Sequence, residues 1–422
     1  MKSAEQKAKK VPAIRFAGFD DEWVENTLGS LMEVTSVKRI HQSDWTDSGV
    51  RFLRARDIVA KAKNEIITEP LFISQEKYEE YSLLSGKVHP GDMLVTGVGT
   101  IGVPMMIDDD KPLYFKDGNI IWFKNEHIID DRFLYHAFNS ESIQIFIKES
   151  AGIGTVGTYT IDCGKKTPIS LPLQRNEQRK IGSFFSNIDS LISLEQKKYD
   201  KLTQVKKSML EKMFPKEGMT VPEIRFANFT GEWEKKKLGD MGTTYTGLSG
   251  KTKSDFGHGM GRFVTYMNVF LNPVCDPNRT EAVEIDNTQN TVRHGDVFFT
   301  TSSETPEEVG MSSVWLDKTE NIYLNSFCFG YRPTENIDPF YLAYMLRSNV
   351  VRKKITYLAQ GISRYNISKN GVMEIEVPLP NFKEQQKIGS YFSHLDSLIS
   401  LQQRKLEKLK NIKKSLLEKM FV

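Results

Sequence analysis

The sequence predicts an α+β fold: two mixed α/β domains separated by two long antiparallel helices (a coiled coil), arranged as a pseudo-twofold internal repeat. Three observations predict this fold. The 422-residue chain repeats itself at about half its length, and each copy ends in a long uninterrupted amphipathic stretch. Each copy also holds short β-branched and aromatic runs between clusters of Gly, Pro, Asn and Asp. A chain of this length suits two or three domains.

The repeat has two anchors in each copy. VPAIRFAGFDDEW, from Val11 to Trp23, returns as VPEIRFANFTGEW, from Val221 to Trp233. EQRKIGSFFSNIDSLISL, from Glu177, returns as EQQKIGSYFSHLDSLISL, from Glu384, and the copies end in KKSMLEKMF and KKSLLEKMF. Between the anchors the copies share little. The anchors therefore predict a first domain over residues 1–175, a first helix over 176–214, a second domain over 215–382 and a second helix over 383–422.

The two helical stretches carry apolar residues at spacings of three and four, with Lys and Glu between them, which is typical of an amphipathic helix. About 38 residues at 1.5 Å each make a rod of roughly 55 Å, whose apolar stripe needs a partner. The partner-binding positions predicted on the stripe are Ile181, Phe184, Ile188, Leu191, Leu202 and Val205 in the first helix, and Ile388, Leu395, Leu398, Leu409, Ile412 and Leu416 in the second.

The order of the segments predicts how the helices pair. The first helix begins at the first domain and ends at the second, and the second helix begins where the second domain ends. If the second domain is compact, the second helix must run back along the first, antiparallel to it. Residues 1–10 would then take the place that the short link 215–220 holds in the other copy, which closes a ring.

Each variable domain shows a helical pattern late in its sequence, at Arg132–Glu149 in the first copy and Pro339–Ala359 in the second. A polar loop that contains glycine follows the pattern, GIGTVGTYT in the first copy and GISRYN in the second. Earlier runs such as NIIWF and GDVFFTT predict short strands.

Composition excludes several classes of protein. Lys and Arg number 57 against 54 Asp and Glu, and a net charge of +3 is too small to indicate a nucleic-acid partner by itself. Three cysteines without a CxxC pair predict neither a disulfide framework nor a zinc ribbon, and they fit a reducing cytoplasm. The sequence has no apolar run of 18 residues, so we expect neither a membrane span nor secretion.

Motifs for catalysis and cofactor binding are weak or missing. Gly97, Gly99 and Gly102 match the GxGxxG dinucleotide pattern, yet Pro104 and the extended residues after it do not open the helix that such a site requires. We therefore prefer a glycine-rich loop. The histidines lack metal-ligand spacing, and the sequence shows neither a P-loop nor the NPP[YF] motif of a methyltransferase. We expect no catalytic site, metal or cofactor in this chain.

Basic residues near aromatic ones are better candidates for binding. Arg51, Arg54 and Arg56 fall in a predicted early strand, VRFLRARDI, and Arg262 corresponds to Arg51. Such side chains neutralise phosphates or pair with base edges, but a solvated strand face explains any one of them equally well. Arg364, in the polar loop, either contacts DNA or caps the turn, with the turn slightly favoured. The predicted DNA-binding residues are Arg51, Arg54, Arg56, Lys61, Lys63, Lys251, Lys253, Arg262, Arg279 and Arg364.

The duplicated lead-in, the divergent domains and the near-identical helices together resemble the specificity subunit of a type I restriction-modification enzyme. The resemblance covers the whole chain. It implies that each variable domain is a target recognition domain that reads one half of a split double-stranded DNA target. It also implies that the helices bind two modification subunits, which carry S-adenosylmethionine and methylate adenine, and that separate restriction subunits use ATP and Mg to cleave DNA. The chain itself would then be non-catalytic and cytoplasmic.

Two other functions are alternatives to this interpretation. A coiled-coil scaffold with two ligand- or peptide-binding domains explains the helices equally well, but it explains the divergence of the two domains less well. An autonomous modification enzyme is opposed by the missing catalytic motifs. We therefore predict the DNA specificity subunit of a type I restriction-modification complex.

Overall fold

Residues 11–63, 65–151 and 157–422 are described by a computed structural model, and the chain divides into two units. The first unit comprises residues 1–196 with 405–422, and the second comprises residues 197–404. The predicted ring closure through residues 1–10 lies outside the described residues, as does Thr155 of the first polar loop. Among the described residues, no helix is both long and apolar enough to cross a lipid bilayer.

The first unit alternates short strands and helices before its long helix begins. Its strands are β1 Val24–Thr27, β2 Glu33–Thr35, β3 Trp45–Thr46, β4 Val50–Leu53, β5 Leu71–Ile73, β6 Met93–Thr96, β7 Pro104–Met106, β8 Leu113–Phe115, β9 Ile120–Lys124 and β10 Pro168–Leu171. Its helices are α1 Leu28–Leu31, α2 Ala55–Ala62, α3 Gln75–Ser85, α4 Asp131–Phe138, α5 Glu141–Ser150, α6 Ile161–Lys166 and the start of α7 Arg175–Lys212. The helical pattern predicted at 132–149 is two helices, because Ser140 adopts an extended ψ of 155° between them.

The second unit follows a similar order. Its strands are β11 Glu234–Lys237, β12 Gly242–Thr246, β13 Phe256–Val264, β14 Thr280–Val283, β15 Val297–Thr300, β16 Ser302–Ser303, β17 Ser312–Val314, β18 Ile322–Leu324, β19 Cys328–Pro333, β20 Tyr365–Asn366 and β21 Glu376–Leu379. Its helices are α8 Tyr266–Leu271, α9 Pro339–Met345, α10 Asn349–Tyr357, α11 Lys369–Met373 and the start of α12 Phe382–Met420. The pattern predicted at 339–359 is again two helices, with Ser348 extended at a ψ of 150°.

Two small sheets form the body of each unit. Their strand orders are β2-β9-β6-β7 and β3-β5-β4-β8 in the first unit, and β12-β19-β15-β17 and β14-β13-β18 in the second. The parallel pair β4 and β8 aligns Arg51 with Leu113, and the parallel pair β13 and β18 aligns Arg262 with Ile322. Arg51 and Arg262 therefore occupy corresponding positions, so the repeat extends through the divergent domains.

The sheet that contains β6, and its counterpart that contains β15, are buried on both faces. Met93 of β6 packs in the core that includes the long helices, whereas its neighbour Leu94 packs in the core between the two sheets. In the second unit, Phe299 of β15 packs in the core that includes the long helices, and Phe298 packs in the core between the sheets. Burial on both faces explains why these strands are continuous apolar runs without alternation.

Segments of the two long helices pair within the first unit. Lys413 Nζ of α12 lies 2.5 Å from Asp189 Oδ1 of α7, and Lys405 Nζ lies 2.8 Å from Glu195 Oε1. Residue numbers on α7 fall as those on α12 rise. The two segments therefore run antiparallel.

The second unit pairs the remaining segments in the same sense. Lys206 of α7 forms an ion pair with Asp396 of α12, and the ring centroids of Phe214 and Phe392 lie 6.0 Å apart. In the repeat, Lys206 corresponds to Lys413, and Asp396 corresponds to Asp189. Each aspartate thus binds the lysine of the other copy. The predicted α+β fold with two long antiparallel helices and an internal repeat is confirmed.

An Arg–Glu pair joins the two sequence anchors in each unit. Arg15 Nε and Nη2 donate to the carboxylate oxygens of Glu177 at 2.7 and 2.9 Å. Arg225 donates to Glu384 in the same way, at 2.7 and 2.8 Å. Both glutamates are buried. Because a bidentate pair is strong and geometrically specific, it fixes each lead-in segment on the start of a long helix.

The phenylalanine of the KMF sequence at the end of each long helix packs in the core of one unit. Phe421 lies in the first unit with its ring centroid 6.3 Å from that of Trp23, and Phe214 lies in the second unit 6.4 Å from Trp233. All four side chains are buried. The tryptophans end the lead-in anchors, so these contacts explain why the lead-in and the helix end are repeated together.

Two glycines let the long helices approach the start of a shorter helix. A Cβ on Gly182 of α7 would lie 2.6 Å from Phe133 N of α4. A Cβ on Gly389 of α12 would lie 2.6 Å from Tyr341 N of α9. Atoms cannot pack at such separations, so both positions require glycine.

Candidate nucleic-acid interface

Three loop segments of the first unit meet at one end of the sheet of β2, β9, β6 and β7. One follows β6, one precedes β9 and one follows α5. Gly97 N–H donates to Asn119 O at 2.8 Å, and Tyr159 N–H donates to Gly97 O at 2.9 Å. A Cβ on Gly97 would lie 2.6 Å from Tyr159 O, so glycine is required where the segments cross. We name these three hydrogen-bonded segments the loop frame.

The second unit contains the same loop frame. Thr301, which follows β15, donates its N–H to the carbonyl of Phe327, which precedes β19, at 3.0 Å. Ile367, which comes after α10, donates its N–H to Thr301 O at 3.0 Å. The strands, the order of the segments and the direction of both hydrogen bonds match those of the first unit.

A threonine closes the first loop of each frame. Thr96 Oγ1 accepts the N–H of Val103, and Thr300 Oγ1 accepts the N–H of Met311, each at 3.0 Å. Residues 97–102 connect the antiparallel strands β6 and β7. The GxGxxG pattern therefore lies in a hairpin loop and does not open a helix.

The two frames carry different side chains. In the first unit Gly99 and Gly102 have positive φ angles of 69° and 74°, and Gly97 stands where the second unit has Thr301. In the second unit Phe327 stands where the first unit has Asn119, and its side chain is 62% exposed. Ile362, in the third segment, is 96% exposed. One backbone arrangement thus presents two chemically distinct surfaces.

The predicted basic residues of the first unit are distributed along β4 and α2, from Arg51 to Lys63. The expectation that Arg51, Arg54 and Arg56 share one strand is wrong, since β4 ends at Leu53 and Arg56 lies in α2. The carboxylate of Asp57 accepts the Arg54 N–H at 2.9 Å at the first turn of α2. This side chain satisfies the backbone where the strand stops and the helix starts.

Arg51 and Arg54 have partners inside the domain. Arg51 Nη1 donates to Leu71 O at 2.8 Å, and burial lowers the pKa of its guanidinium from the ordinary value. Arg54 Nη2 donates to Glu69 O at 2.6 Å and to Asp57 Oδ1 at 3.1 Å. Both guanidiniums hold neighbouring segments together, and their contacts with DNA stay predictions.

Arg56, Lys61 and Lys63 are exposed. Arg56 lies 2.9 Å from Glu69, and Lys61 lies 3.8 Å from Asp108, with all four side chains largely in solvent. Exposed ion pairs contribute little, so these cations can exchange a carboxylate for a phosphate at small cost. Their role as phosphate contacts also stays a prediction.

In the second unit Arg262 repeats the structural contact of Arg51 with the neighbouring strand. Its Nε and Nη2 donate to the hydroxyl and the carbonyl of Thr280, at 2.6 and 2.5 Å. Lys251 lies 2.6 Å from Asp286 and holds the pKa of that carboxyl below its ordinary value. Both basic groups are thus positioned by partners within the unit.

The remaining predicted residues of the second unit, Lys253, Arg279 and Arg364, are exposed. Arg279 Nε lies 3.9 Å from Asp276. Arg364 lies in the third segment of the loop frame, and Lys253 and Arg279 lie outside the frame. Of the predicted basic residues, Arg364 is thus the one that belongs to the frame.

The partner-binding positions predicted on the helices differ in burial. Ile181, Ile188, Ile388 and Leu395 are buried; Phe184, Leu202, Val205, Leu409 and Leu416 are partly buried; Leu191, Leu398 and Ile412 are exposed. Leu191 and Leu398 correspond in the repeat and are 48% and 49% exposed. Partner binding by these residues stays a prediction.

The sequence prediction missed Thr301, Phe327 and Ile362 of the second loop frame. Two signals in the sequence point to them. The segment TTSSETP, from Thr300, is rich in hydroxyl groups and follows a buried strand directly, and Ile362 is an isolated apolar residue in the polar loop GISRYN. Within residues 11–63, 65–151 and 157–422, no three His, Cys, Asp or Glu side chains are placed to hold a metal ion.

A family model described as the type I restriction modification DNA specificity domain matches residues 20–204 and 230–411. The chain belongs to this family. It carries the specificity domain twice, as the repeated anchors and the two loop frames indicate. The predicted type I specificity subunit with two DNA-recognition domains is thereby confirmed, and the scaffold interpretation is not favoured. Specificity subunits are DNA-recognition subunits without a catalytic role.

Known proteins of the same kind resemble this chain over most of its length. It is similar to the type I restriction enzyme MjaVIII specificity subunit of Methanocaldococcus jannaschii, with 23% identity over 324 residues that cover 69% of each chain. It is also similar to the solved type I restriction-modification S subunit from M. genitalium, with a TM-score of 0.55, 17% identity, and 98% and 99% of the chains covered. A structure described for the complex assembly and conformational transition of a type I restriction-modification system has the same TM-score and identity, covering 94% and 97%. The two solved structures establish the fold.

Proposed function

We propose that each recognition domain reads one half of a bipartite double-stranded DNA target. The loop frame carries this proposal, because the same backbone hydrogen bonds recur in both units while the exposed side chains differ. Two unlike half-sites require two unlike reading surfaces, and base edges in the major groove discriminate through side-chain chemistry. A scaffold for two copies of one ligand would instead need the same side chains on both frames.

We assign the long helices to two modification subunits. Leu191 and Leu398 support this assignment, since corresponding apolar positions on the two helices are about equally exposed and can bind two copies of one partner. The modification subunits would bring S-adenosylmethionine and methylate an adenine in each half-site, which they must first turn out of the duplex. Restriction subunits would bring ATP and Mg for cleavage. The complex would act in the cytoplasm, where the DNA lies.

Exchange of residues 24–173 for the corresponding segment of another specificity subunit tests whether each domain reads its own half-site independently. The exchange should change one half-site and leave the other intact, because each domain has its own core and its own loop frame. Methylome sequencing of cells that express the complex reports both half-sites. The reciprocal exchange of residues 234–380 should change the other half. If either exchange altered both half-sites, or neither, independent reading would be contradicted.

We also propose that the helices fix the gap between the half-sites. Four residues added to α7 after Gln196 and four added to α12 after Gln403 lengthen each helix by about 6 Å, the rise of about two base pairs. The expected result is a gap that grows by one or two base pairs between unchanged half-sites. Methylome sequencing measures the gap directly, and an unchanged gap would refute this role of the helices.

A further inference from the structure

A cleft of about 590 Å³ opens beside the loop frame of the second unit. Its polar lining residues are Thr246, Ser249, Lys251, Thr301, Ser326 and Lys369. Four of these side chains end in hydroxyl groups that both donate and accept hydrogen bonds, and two end in ammonium groups. This combination matches duplex DNA, which offers donors and acceptors on base edges and negative charge on phosphates.

The wall of the cleft is held in place before any ligand binds. Ser249 N–H donates to Gln289 Oε1 at 3.0 Å, and Gln289 Nε2 donates back to Ser249 O at 3.3 Å. The ion pair of Lys251 with Asp286 fixes its ammonium at the same wall. A wall with these fixed contacts loses less conformational entropy when it binds.

The chain exposes the aromatic ring of Phe327 between two residues that line the cleft, Ser326 and Cys328. Both the N–H and the Oγ1 of Thr301 donate to Phe327 O, at 3.0 and 2.9 Å. Phe327 N–H donates to Asn325 Oδ1 at 2.9 Å. The backbone of Phe327 is therefore held from two sides, while its ring extends into solvent. An exposed ring on a fixed backbone contributes little to the core and offers apolar surface to a partner.

The third segment of the frame begins with an ordered loop, Gln360 to Asn366, that directly precedes Ile367, which lines the cleft. We name Phe327 and this loop the rim, because each adjoins residues that line the cleft. Gln360 and Asn366 exchange backbone hydrogen bonds at 3.0 and 2.9 Å, which close the loop between them. Gly361 allows the closure, since a Cβ there would lie 2.0 Å from Arg364 O. The closed loop exposes Ile362 and the guanidinium of Arg364.

We infer that this cleft and its rim are the base-reading surface of the second recognition domain. Arg364 would donate to guanine or to a backbone phosphate, the hydroxyl of Ser326 would bond to a base edge, and Thr301 Oγ1, whose hydrogen is donated to Phe327 O, would accept from one. The exposed Phe327 and Ile362 would contact thymine methyl groups, the apolar feature of the major groove. The inference rests on the proposed function and assigns residues to it.

The lysines of the cleft have a separate role. The ammonium group of Lys369 would neutralise a phosphate, which positions the domain without reading sequence, whereas Lys251 is already paired with Asp286 and holds the wall in place. The first unit supports the assignment of reading to the frame, because its Gly97 and Asn119 replace the threonine and the phenylalanine at the same backbone sites. A change of side chains on a common frame is what a change of target sequence requires.

The test uses the full chain assembled with its modification subunits. R364A and F327A should each weaken binding to the target duplex by about 5- to 150-fold and relax base preference in one half-site. K369A should weaken binding to all sequences alike and lower the slope of log affinity against log salt by about one. Binding is measured by fluorescence anisotropy, and preference by selection from duplexes randomised in either half-site.

R293A is the matched control, because Arg293 is an exposed arginine that precedes β15, at the opposite end of the strand from Thr301. Its affinity and preference should equal those of the wild type. I362A supplies a second rim variant at a fully exposed position where folding is not at risk. Unchanged preference in R364A, F327A and I362A, with affinities within twofold of R293A, would overturn the assignment of the cleft. A wild-type complex without bipartite preference would instead overturn the proposed function.

Discussion

The contact between lead-in and long helix is the same in both units, whereas the side chains on the loop frame differ. Arg15 with Glu177 and Arg225 with Glu384 repeat one bidentate geometry to within 0.1 Å. At the frame, by contrast, glycine in one unit is replaced by Thr301 in the other. Because one chain holds both copies, it provides its own comparison. Residues that stay the same at this contact maintain packing, and the proposed function assigns the chemistry of binding to the side chains that differ on the loop frame.

Loss of one partner in the repeated Arg–Glu pair should give the largest effect. E384A leaves Arg225 with the carbonyls of Thr230 and Gly231 but without its buried countercharge. Breaking a buried pair in this way costs about 3–5 kcal/mol of unfolding free energy. Native-state hydrogen exchange of the second unit measures the loss, and E177A should produce an equal loss in the first unit.

Two variants make this test specific. E407A removes an exposed carboxylate from the same helix and should change stability by less than about 0.5 kcal/mol. The double variant R225L/E384L replaces the pair by apolar side chains and should recover most of the loss, since no buried charge is left unpaired. Equal stability of E384A and E407A would show that the repeated pair does not hold the unit together.

The sequence predicts the framework far better than the loops, and physical reasons account for the difference. Apolar spacing and duplication were sufficient to predict the long helices and their antiparallel pairing, because burial of a stripe is a local property repeated along the chain. Arg54 shows where this reasoning fails. Strand β4 ends before Arg54 because the carboxylate of Asp57 caps the start of α2. The spacing of apolar residues does not reveal such an interaction. The loop frame depends on contacts such as Tyr159 with Gly97, which join segments far apart in sequence.

The free energy of unfolding should depend on pH differently in the two units, because His136 of α4 corresponds to Tyr344 of α9. Burial lowers the pKa of His136 to about 3, and Lys413 adds to the shift. Its Nε2 lies 3.3 Å from Ser186 Oγ, and its Nδ1 lies 3.9 Å from the carboxylate of Asp189. Burial raises the pKa of Tyr344, so that phenol stays neutral over the same range.

The folded-state pKa of the histidine lies below its unfolded value, so acid favours unfolding. Between pH 6.5 and 3 the unfolded chain binds a proton that the folded unit does not, and stability falls by about 1.4 kcal/mol per pH unit. The expected loss from this group at pH 5 is about 2 kcal/mol in the first unit. Hydrogen exchange at pH 7 and pH 5 measures it. H136Y should remove this dependence, whereas H394Y, at an exposed position, should keep it; retention in both would contradict the assignment.

The smallest of the three expected changes in unfolding free energy concerns Gly182 of α7 and Gly389 of α12, which occupy corresponding positions in the repeat. Replacing an exposed glycine inside a helix by alanine stabilises the helix by about 1 kcal/mol. G389A should instead destabilise the protein, because its Cβ would lie 2.6 Å from both Tyr341 N and Asp338 Oδ1. Neither atom is the end of a long flexible side chain that could move away. Overpacking of this kind costs about 1–3 kcal/mol, which leaves a net loss of about 1 kcal/mol. Denaturant titration of G389A and of G182A measures the change, and a gain of stability in either would show that the helix can move away from the shorter helix without loss of packing.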